Sequence, residues 1–77
     1  MAVGFVLISI APMKERDIHT ALSSIPEIVE HHPLFGEFDI IAKIEAEDFN
    51  VVGHVVMYKI RIIPGILDTK TLMGTQF

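Results

Sequence analysis

Cysteine is absent from the 77 residues, and tryptophan is absent as well. Without cysteine the chain cannot form disulfides, zinc–thiolate sites or a thiol nucleophile, so these function classes are excluded. A domain of this length buries only roughly 60% of the surface that its unfolded chain exposes, and it needs a further source of stability. We expect that source to be partner subunits.

Basic side chains are scarce. Six Lys and Arg stand against ten Asp and Glu, which gives a formal net charge of -4 and a pI near 5.4. The basic residues are scattered and form no stripe that could neutralise a phosphate backbone, so we do not expect this chain to bind DNA directly. The length predicts a single domain over residues 1–77.

The sequence lacks a targeting signal and a hydrophobic run long enough to span a membrane. No cationic segment precedes the apolar residues 3–11, and the charged residues 14–17 interrupt the run well short of a span. We therefore expect a cytoplasmic protein. Hydrophobic residues nevertheless make up 51% of the chain, more than one small core needs, and this excess indicates association.

Hydrophobic periodicity predicts a strand followed by a helix. Residues 3–11 form a β-branched run bounded by Pro12, which is typical of a strand buried on both faces. The segment that follows has apolar residues at i, i+3, i+4 and i+7, the spacing of an amphipathic helix, and Pro26 ends it. These apolar residues are Ile18, Ala21, Leu22 and Ile25.

A hairpin is predicted next, because residues 28–35 and 39–46 are extended stretches around the glycine-containing loop 36–38. Residues 49–63 are ambiguous: their β-branched residues favour a strand, while their spacing suits a helix with Asp48 as N-cap. One apolar face of that helix would comprise Phe49, Val52, Gly53, Val56, Ile60 and Ile63.

An internal repeat decides in favour of the helix. At an offset of 38, Ile25-Pro26-Glu27-Ile28 aligns with Ile63-Pro64-Gly65-Ile66, and five of the twelve positions from 25 to 36 are identical. Such self-similarity implies the same helix-then-strand unit twice. The predicted order is β-α-β-β-α-β, that of an α+β ferredoxin-like sandwich with a four-stranded antiparallel sheet and two helices on one face.

That fold leaves one face of the sheet uncovered. The two strands that it places centrally are apolar on both sides, through Phe5, Val6, Leu7, Ile8, Ile40 and Ile41. We therefore expect two sheets to pack face to face in a dimer. The second helix has a second apolar stripe, formed by Val51, Val55, Tyr58 and Ile62. This stripe predicts either a further interface or cover by the first helix or by loops.

Candidates for catalysis or metal binding are few. Adjacent residues on a strand point to opposite faces, so His31 and His32 cannot chelate one ion together, and both are expected at the surface. Ser23, near the end of a helix, has no local base, and the acidic residues are interpreted as solvated charges. No enzymatic activity, metal or cofactor is expected.

One loop is a candidate ligand site. Gly36 supplies conformational freedom and an unobstructed backbone, and Asp39 offers a carboxylate to a cation such as an α-amino group. This combination suits capture of an amino acid. An ordinary hairpin turn with a capping Asp is the alternative.

With these motifs in place, the chain resembles the effector-binding (RAM) domain of the Lrp/AsnC family of transcription regulators. The resemblance covers nearly the whole chain. The motifs that carry it are Ile25-Pro26-Glu27-Ile28, Gly36-Glu37-Phe38-Asp39, residues 39–44, Ile63-Pro64-Gly65-Ile66, and Thr69 with Thr71.

The resemblance implies a βαββαβ domain that dimerises through its sheet, assembles into rings of dimers and holds amino-acid effectors between dimers. The ligand-binding residues carried over by position are Phe35, Gly36, Phe38, Asp39, Thr69 and Thr71. Full-length regulators also have an N-terminal helix-turn-helix domain, whereas this chain begins with the first strand, as a stand-alone effector domain would. Position 35 can be polar in relatives and is apolar here, which favours apolar or small ligands.

The leading interpretation is a stand-alone module that binds an amino acid or related metabolite, forms homo-oligomers and modulates transcription, alone or with full-length regulators. One alternative is a structural partner that assembles with such regulators and binds no metabolite. Another is a small enzyme of the dimeric α+β barrel type, which would need a deep cavity within one subunit. ACT-type amino-acid domains share the fold, but the paired Ile-Pro motifs match the regulator family better.

Overall fold

Four strands and two helices follow one another along the chain. The computed structural model describes residues 1–74. The elements are β1 (Ala2–Ile10), α1 (Glu15–Ser23), β2 (Ile28–Pro33), β3 (Ile40–Ala46), α2 (Phe49–Val55) and β4 (Ile66–Met73). The strands pair antiparallel in the order β2-β3-β1-β4. This is the ferredoxin-like arrangement, and the predicted fold class is confirmed.

The core lies between the sheet and the helices, and the alternation of β1 shows why. Val6, Ile8 and Ile10 are buried, while Phe5 and Leu7 between them point to the opposite face and are only half-buried. Together, the buried hydrophobic residues are Ala2, Val6, Ile8, Ile10, Ile18, Leu22, Ile25, Ile40, Ala42, Ile44, Val52, Val55, Val56 and Ile60. Both helices pack on this one face.

Helix α2 lies close to β1 because a glycine makes room for it. It begins at the predicted N-cap, where an oxygen of Asp48 accepts a hydrogen bond of 3.0 Å from the backbone N–H of Val51. A Cβ added at Gly4 would come within 2.6 Å of Val52 Cγ1. A larger residue at position 4 would therefore force Val52, or the helix that carries it, to shift.

The second helix ends in a π-helical segment, Val56–Ile60, that continues α2. The backbone N–H of Arg61 donates to the carbonyl of Val56 at 2.9 Å, a bond that spans five residues. Two residues of α2 itself differ from the predicted faces. Val55 is buried, so its predicted place in an outer stripe was wrong, and Phe49, predicted for the inner face, is 47% exposed.

No helix covers the other face of the sheet in residues 1–74. Residues directly opposite each other in an antiparallel pair share a face, and Leu7 pairs with Ile41 on one side while Phe5 pairs with Leu72 on the other. These four side chains lie on the bare face, together with Val3 and the charged or polar residues Glu30, His32, Lys43, Glu45 and Lys70. Within the described part of the chain, no helix is long and apolar enough to cross a membrane.

Three connections meet at the end of the sheet where β1 ends. They are the segment between β1 and α1, the β2–β3 hairpin, and the segment between the π-helix and β4. The backbone N–H of Ala11 donates to the carbonyl of Gly65 at 2.7 Å, which ties the first connection to the third. Gly65 has φ +98° and lies against Lys14 and Ile18, so glycine is required at this contact.

Candidate functional site

The β2–β3 hairpin contains four of the six predicted ligand-binding residues. Its base is closed by a hydrogen bond of 2.8 Å from Leu34 N–H to the carbonyl of Asp39. At its tip Gly36 has φ +142°, and nothing lies within 4 Å of the position where its Cβ would be. Phe35 beside it is fully exposed, whereas Phe38 is half-buried. The tip is therefore open to an approaching molecule.

Asp39 anchors the hairpin to the central strand. Its backbone N–H donates to the carbonyl of Ile8, and its Oδ2 accepts from the backbone N–H of Ile10, both at 2.9 Å. Within residues 1–74 only this one oxygen of the carboxylate has a hydrogen-bond partner. The side chain is thus held in place by one oxygen, and the other is available to a ligand.

Thr69 and Thr71 lie on β4, on the far side of β1 from the hairpin. Ile8 pairs with Ile40 on one side and with Thr69 on the other, so Asp39 and Thr69 are separated by about two strand spacings, roughly 10 Å. Thr71 is two residues farther along the edge strand, and both threonines are half-buried. One protomer does not bring the hairpin and the threonines into one pocket.

A shallow depression of about 100 Å³ lies on the bare face, away from the hairpin. Its lining residues are Phe5, Glu30, His32, Ile41 and Lys43. None of the six predicted ligand-binding residues takes part. Small-molecule sites usually enclose about 300–1,000 Å³, so this depression is too small and too open to be an effector pocket.

The histidines of β2 point to opposite faces, as predicted. His32 Nε2 lies 3.1 Å from Glu30 Oε2 on the bare face, and this contact holds the pKa of the Glu30 carboxyl below its usual value. His31 points to the helix side, where its Nδ1 lies 2.9 Å from Nδ1 of His19 on α1. Burial, with the nearby His19 and His32, lowers the pKa of His31, so its ring is neutral at pH 7.

Ser23 completes a cluster with these two histidines, because the fold brings the His31 imidazole to its hydroxyl although no base is local to it in the sequence. Its Oγ lies 3.0 Å from His31 Nε2 and 2.9 Å from the backbone carbonyl of His19. Only the bond to the carbonyl could be expected from the sequence, because a helical serine often donates to the carbonyl four residues before it. The contact with His31 depends on how α1 crosses the sheet.

The protons of this cluster can be assigned from its contacts. A carbonyl only accepts, so the Ser23 hydroxyl donates to the His19 carbonyl and accepts from His31 Nε2–H. His31 Nδ1 then carries a lone pair and accepts from His19 Nδ1–H. Because His31 donates to Ser23, it does not act as a base toward it, and the cluster is not a nucleophilic site.

Glu27 and Lys59 form an ion pair that joins the start of β2 to the π-helix. Lys59 Nζ donates to both carboxylate oxygens of Glu27 at 2.9 Å. The hydrogen bond from Lys59 and one from the backbone of Glu27 lower the pKa of this carboxyl. Glu27 was expected as a solvated charge and is instead a structural contact.

Comparison with known proteins agrees with this architecture. A family model described as the Lrp/AsnC ligand binding domain matches residues 3–75. Over 74 residues the chain is 33% identical to an uncharacterized HTH-type transcriptional regulator of Pyrococcus furiosus, covering 92% of this chain and 49% of that protein. The chain thus spans about half the length of the curated relatives it matches.

Two solved structures show the same fold. FFRP-DM1 superposes with a TM-score of 0.92 at 32% identity, covering 97% of this chain and 100% of that one. AsnC from E. coli superposes with a TM-score of 0.91 at 25% identity, covering 99% of this chain and 52% of that one.

The fold and the family model define a ligand-binding domain, and the relatives that it matches are transcription regulators, not enzymes. This chain belongs to the Lrp/AsnC family. The family resemblance seen in the sequence is therefore confirmed.

Proposed function

We propose that this chain binds an amino acid or a closely related metabolite at the β2–β3 hairpin and transmits binding through the assembly of several copies. The observation that carries the proposal is that the backbone N–H groups at the tip of the hairpin, residues 35–38, have no hydrogen-bond partner within residues 1–74. Gly36 leaves these groups open. Unpaired donors of this kind suit the carboxylate of an amino acid.

Asp39 would bind the α-amino group of the same ligand. An α-amino group needs a nearby anion, and the carboxylate has one oxygen free while the other is fixed by Ile10. Phe35 and Phe38 would pack around an apolar or small side chain. The hairpin thus offers donors, one negative charge and apolar surface within a few residues.

The site is incomplete in one protomer, which supports a pocket shared between copies. Thr69 and Thr71 lie on β4, separated from the hairpin by β1, and would line the pocket of a neighbouring copy. A second copy would first dimerise on the bare face, where Phe5, Leu7 and Ile41 are only partly covered. Burying these side chains contributes roughly 25 cal/mol per Å² of apolar area.

A ring of dimers needs a second interface, and the outer side of the second helix offers one. Met57, Tyr58 and Ile62 are 54%, 58% and 69% exposed, respectively. The His54 ring lies 4.6 Å from that of Tyr58 and widens the patch. We propose that dimers associate through this patch and that effectors bind at the seam.

The biological role proposed for the module is control of transcription in the cytoplasm, alone or together with full-length Lrp/AsnC relatives. A ligand at the seam shifts assembly only by the difference between its affinities for the assembled and dissociated states. Effector binding and oligomerisation are therefore reciprocally linked. Contact with DNA would be made by the partner regulator.

Thermal unfolding in the presence of each of the twenty amino acids tests this proposal. A ligand at about 100 times its dissociation constant adds about 2.7 kcal/mol, which raises the melting temperature of a domain this size by about 10–20 °C. Asp39→Asn keeps an acceptor for Ile10 and removes the charge, so it should abolish the shift. Glu37→Gln removes a charge from the same loop and should retain it.

Two results would contradict the proposal. If Asp39→Asn shows the full shift, the amino acid binds elsewhere. If no amino acid at millimolar concentration shifts the wild-type protein, the module binds no metabolite of this class and acts as a structural partner in mixed assemblies.

A further inference from the structure

The His19–His31 contact joins the first helix to an edge strand through two nitrogens that face each other. The Nδ1 atoms are 2.9 Å apart, and both rings are half-buried. Both histidines belong to elements that pack in the core. His19 follows the fully buried Ile18 on α1, and His31 pairs with Ala42 in the sheet. The backbone positions of the two rings are therefore set by the core.

We propose that His19 and His31 form a two-histidine site for a late first-row divalent ion, Cu²⁺ or Ni²⁺. Imidazole nitrogens bind such ions at about 2.0–2.1 Å, so two nitrogens 2.9 Å apart subtend about 90° at a shared ion. That angle is the cis angle of square-planar and octahedral coordination. A tetrahedral Zn²⁺ site would need the nitrogens about 3.4 Å apart.

The proton arrangement of the cluster leaves His31 ready to bind. Its Nε2–H donates to Ser23, so the lone pair lies on Nδ1, the atom that faces His19. His19 must move its own proton from Nδ1 to Nε2, and neutral imidazole allows this without loss of charge. Because χ2 of histidine is broad, small ring rotations turn both lone pairs toward one ion.

Ser23 would orient His31 without binding the ion itself. Metal-binding histidines usually donate their second N–H to a protein acceptor, which fixes the ring and the tautomer. The Ser23 hydroxyl accepts that bond from His31 and is itself oriented by the His19 carbonyl. The described residues offer no group of three or more metal-binding side chains, so water or an external ligand would complete the coordination.

The consequence of binding would be a clamp between α1 and β2. Ion binding to the folded state alone stabilises it, and the effect grows with ion concentration. The site is separate from the effector hairpin, because His19 lies on α1 and His31 on β2, and neither is part of the loop. It would act whether or not the chain binds an amino acid.

The test is a titration of the wild-type protein with CuCl₂ or NiCl₂ in a non-chelating buffer at pH 7.5, followed by thermal unfolding and by Cu²⁺ visible absorption. We expect one ion per chain, a rise in melting temperature that EDTA reverses, and a smaller rise with ZnCl₂. His19→Gln and His31→Gln should each abolish the rise. Ser23→Ala keeps both ligands and should weaken binding by about 10- to 100-fold.

Matched controls distinguish this site from other histidines. His32→Gln changes the neighbouring residue on the opposite face, and His54→Gln changes a histidine on α2; both should bind like the wild type. Melting temperatures without metal show whether each variant folds. The proposal is overturned if the wild-type protein shows no metal-dependent shift, or if His19→Gln or His31→Gln shows the full one.

Discussion

Asp39 Oδ2 accepts a hydrogen bond of 2.9 Å from the backbone N–H of Ile10, which fixes the start of β3 against the end of β1. The Asp39 carboxylate, which is the candidate partner of the ligand's amino group, therefore also stabilises the fold. Substitutions at this position affect folding and binding together, and only a variant that retains the acceptor can separate the two.

This double role predicts a stability difference between two variants of Asp39. Asp39→Ala leaves the Ile10 N–H without its partner and should lower the free energy of unfolding by about 1–3 kcal/mol. Asp39→Asn retains an oxygen acceptor and should cost about 1 kcal/mol or less. Urea denaturation measures both, and equal losses would show that the Ile10 bond contributes nothing.

The close contact between Gly4 and Val52 predicts the effect of a single methyl group. Gly4→Ala would place a Cβ 2.6 Å from Val52 Cγ1 and should destabilise the fold by about 1–3 kcal/mol. Adding Val52→Ala should recover part of the loss, because it removes the clashing atom. A double-mutant cycle by chemical denaturation measures the coupling, and strictly additive losses would contradict it.

Gly53 is the matched control for that experiment. It lies on α2, and nothing is within 4 Å of the position of its Cβ. Gly53→Ala should therefore stabilise the helix, by up to about 1 kcal/mol. If Gly53→Ala is as harmful as Gly4→Ala, the effect at position 4 does not come from packing against Val52.

The Glu27–Lys59 pair predicts a pH dependence of stability. The pKa of Glu27 is lowered from its usual value of 4.5, chiefly by the hydrogen bond from Lys59, so the folded state favours the charged form. The stabilisation is complete above about pH 4.5 and is lost as the pH falls through the lowered pKa.

Glu27→Gln tests this dependence. At pH 7 the variant should lose about 0.2–1 kcal/mol, since the pair is partly exposed, and at pH 3 or below the difference from the wild type should narrow. Urea midpoints at the two pH values measure it. If Glu27→Gln lost more stability relative to the wild type at pH 3 than at pH 7, the predicted pH dependence would be contradicted.

The bare face predicts a monomeric variant. Leu7 lies at the centre of that face, between Ile41 and Lys70, so Leu7→Glu should place a charge in the proposed dimer interface and dissociate the dimer. Thr20→Glu puts the same charge on the exposed side of α1 and should leave the assembly unchanged. Sedimentation velocity measures both, and an intact dimer for Leu7→Glu would place the interface elsewhere.

The hydrophobic periodicity and the internal repeat were sufficient to predict the order of helices and strands in this fold. The spacing of Ile18, Ala21 and Leu22 identified α1. The Ile-Pro repeat correctly favoured a helix over a strand in residues 49–63, and the helix runs over residues 49–60. These features are local, or recur within the chain, so they can be read without tertiary structure.

Features that depend on hydrogen-bond register or on element crossing could not be predicted in this way. The π-helical segment Val56–Ile60 depends on hydrogen bonds that span five residues, which no residue type signals. The burial of Val55 and the exposure of Phe49 depend on how α2 is oriented against the sheet. The His19–His31 contact arises because α1 crosses the sheet to reach β2, which brings together two histidines 12 residues apart. The distance between the hairpin and Thr69 likewise follows only from strand order.

The most direct test of the shared effector site is calorimetric titration of the stabilising amino acid into the wild-type protein and into the monomeric Leu7→Glu variant. The hairpin is intact in both, but only the assembled protein can bring Thr69 of one copy near Asp39 of another. We predict binding to the wild type and no measurable binding to the monomer. Equal affinity for the two proteins would show that one chain forms the whole site and would contradict an effector pocket shared between copies.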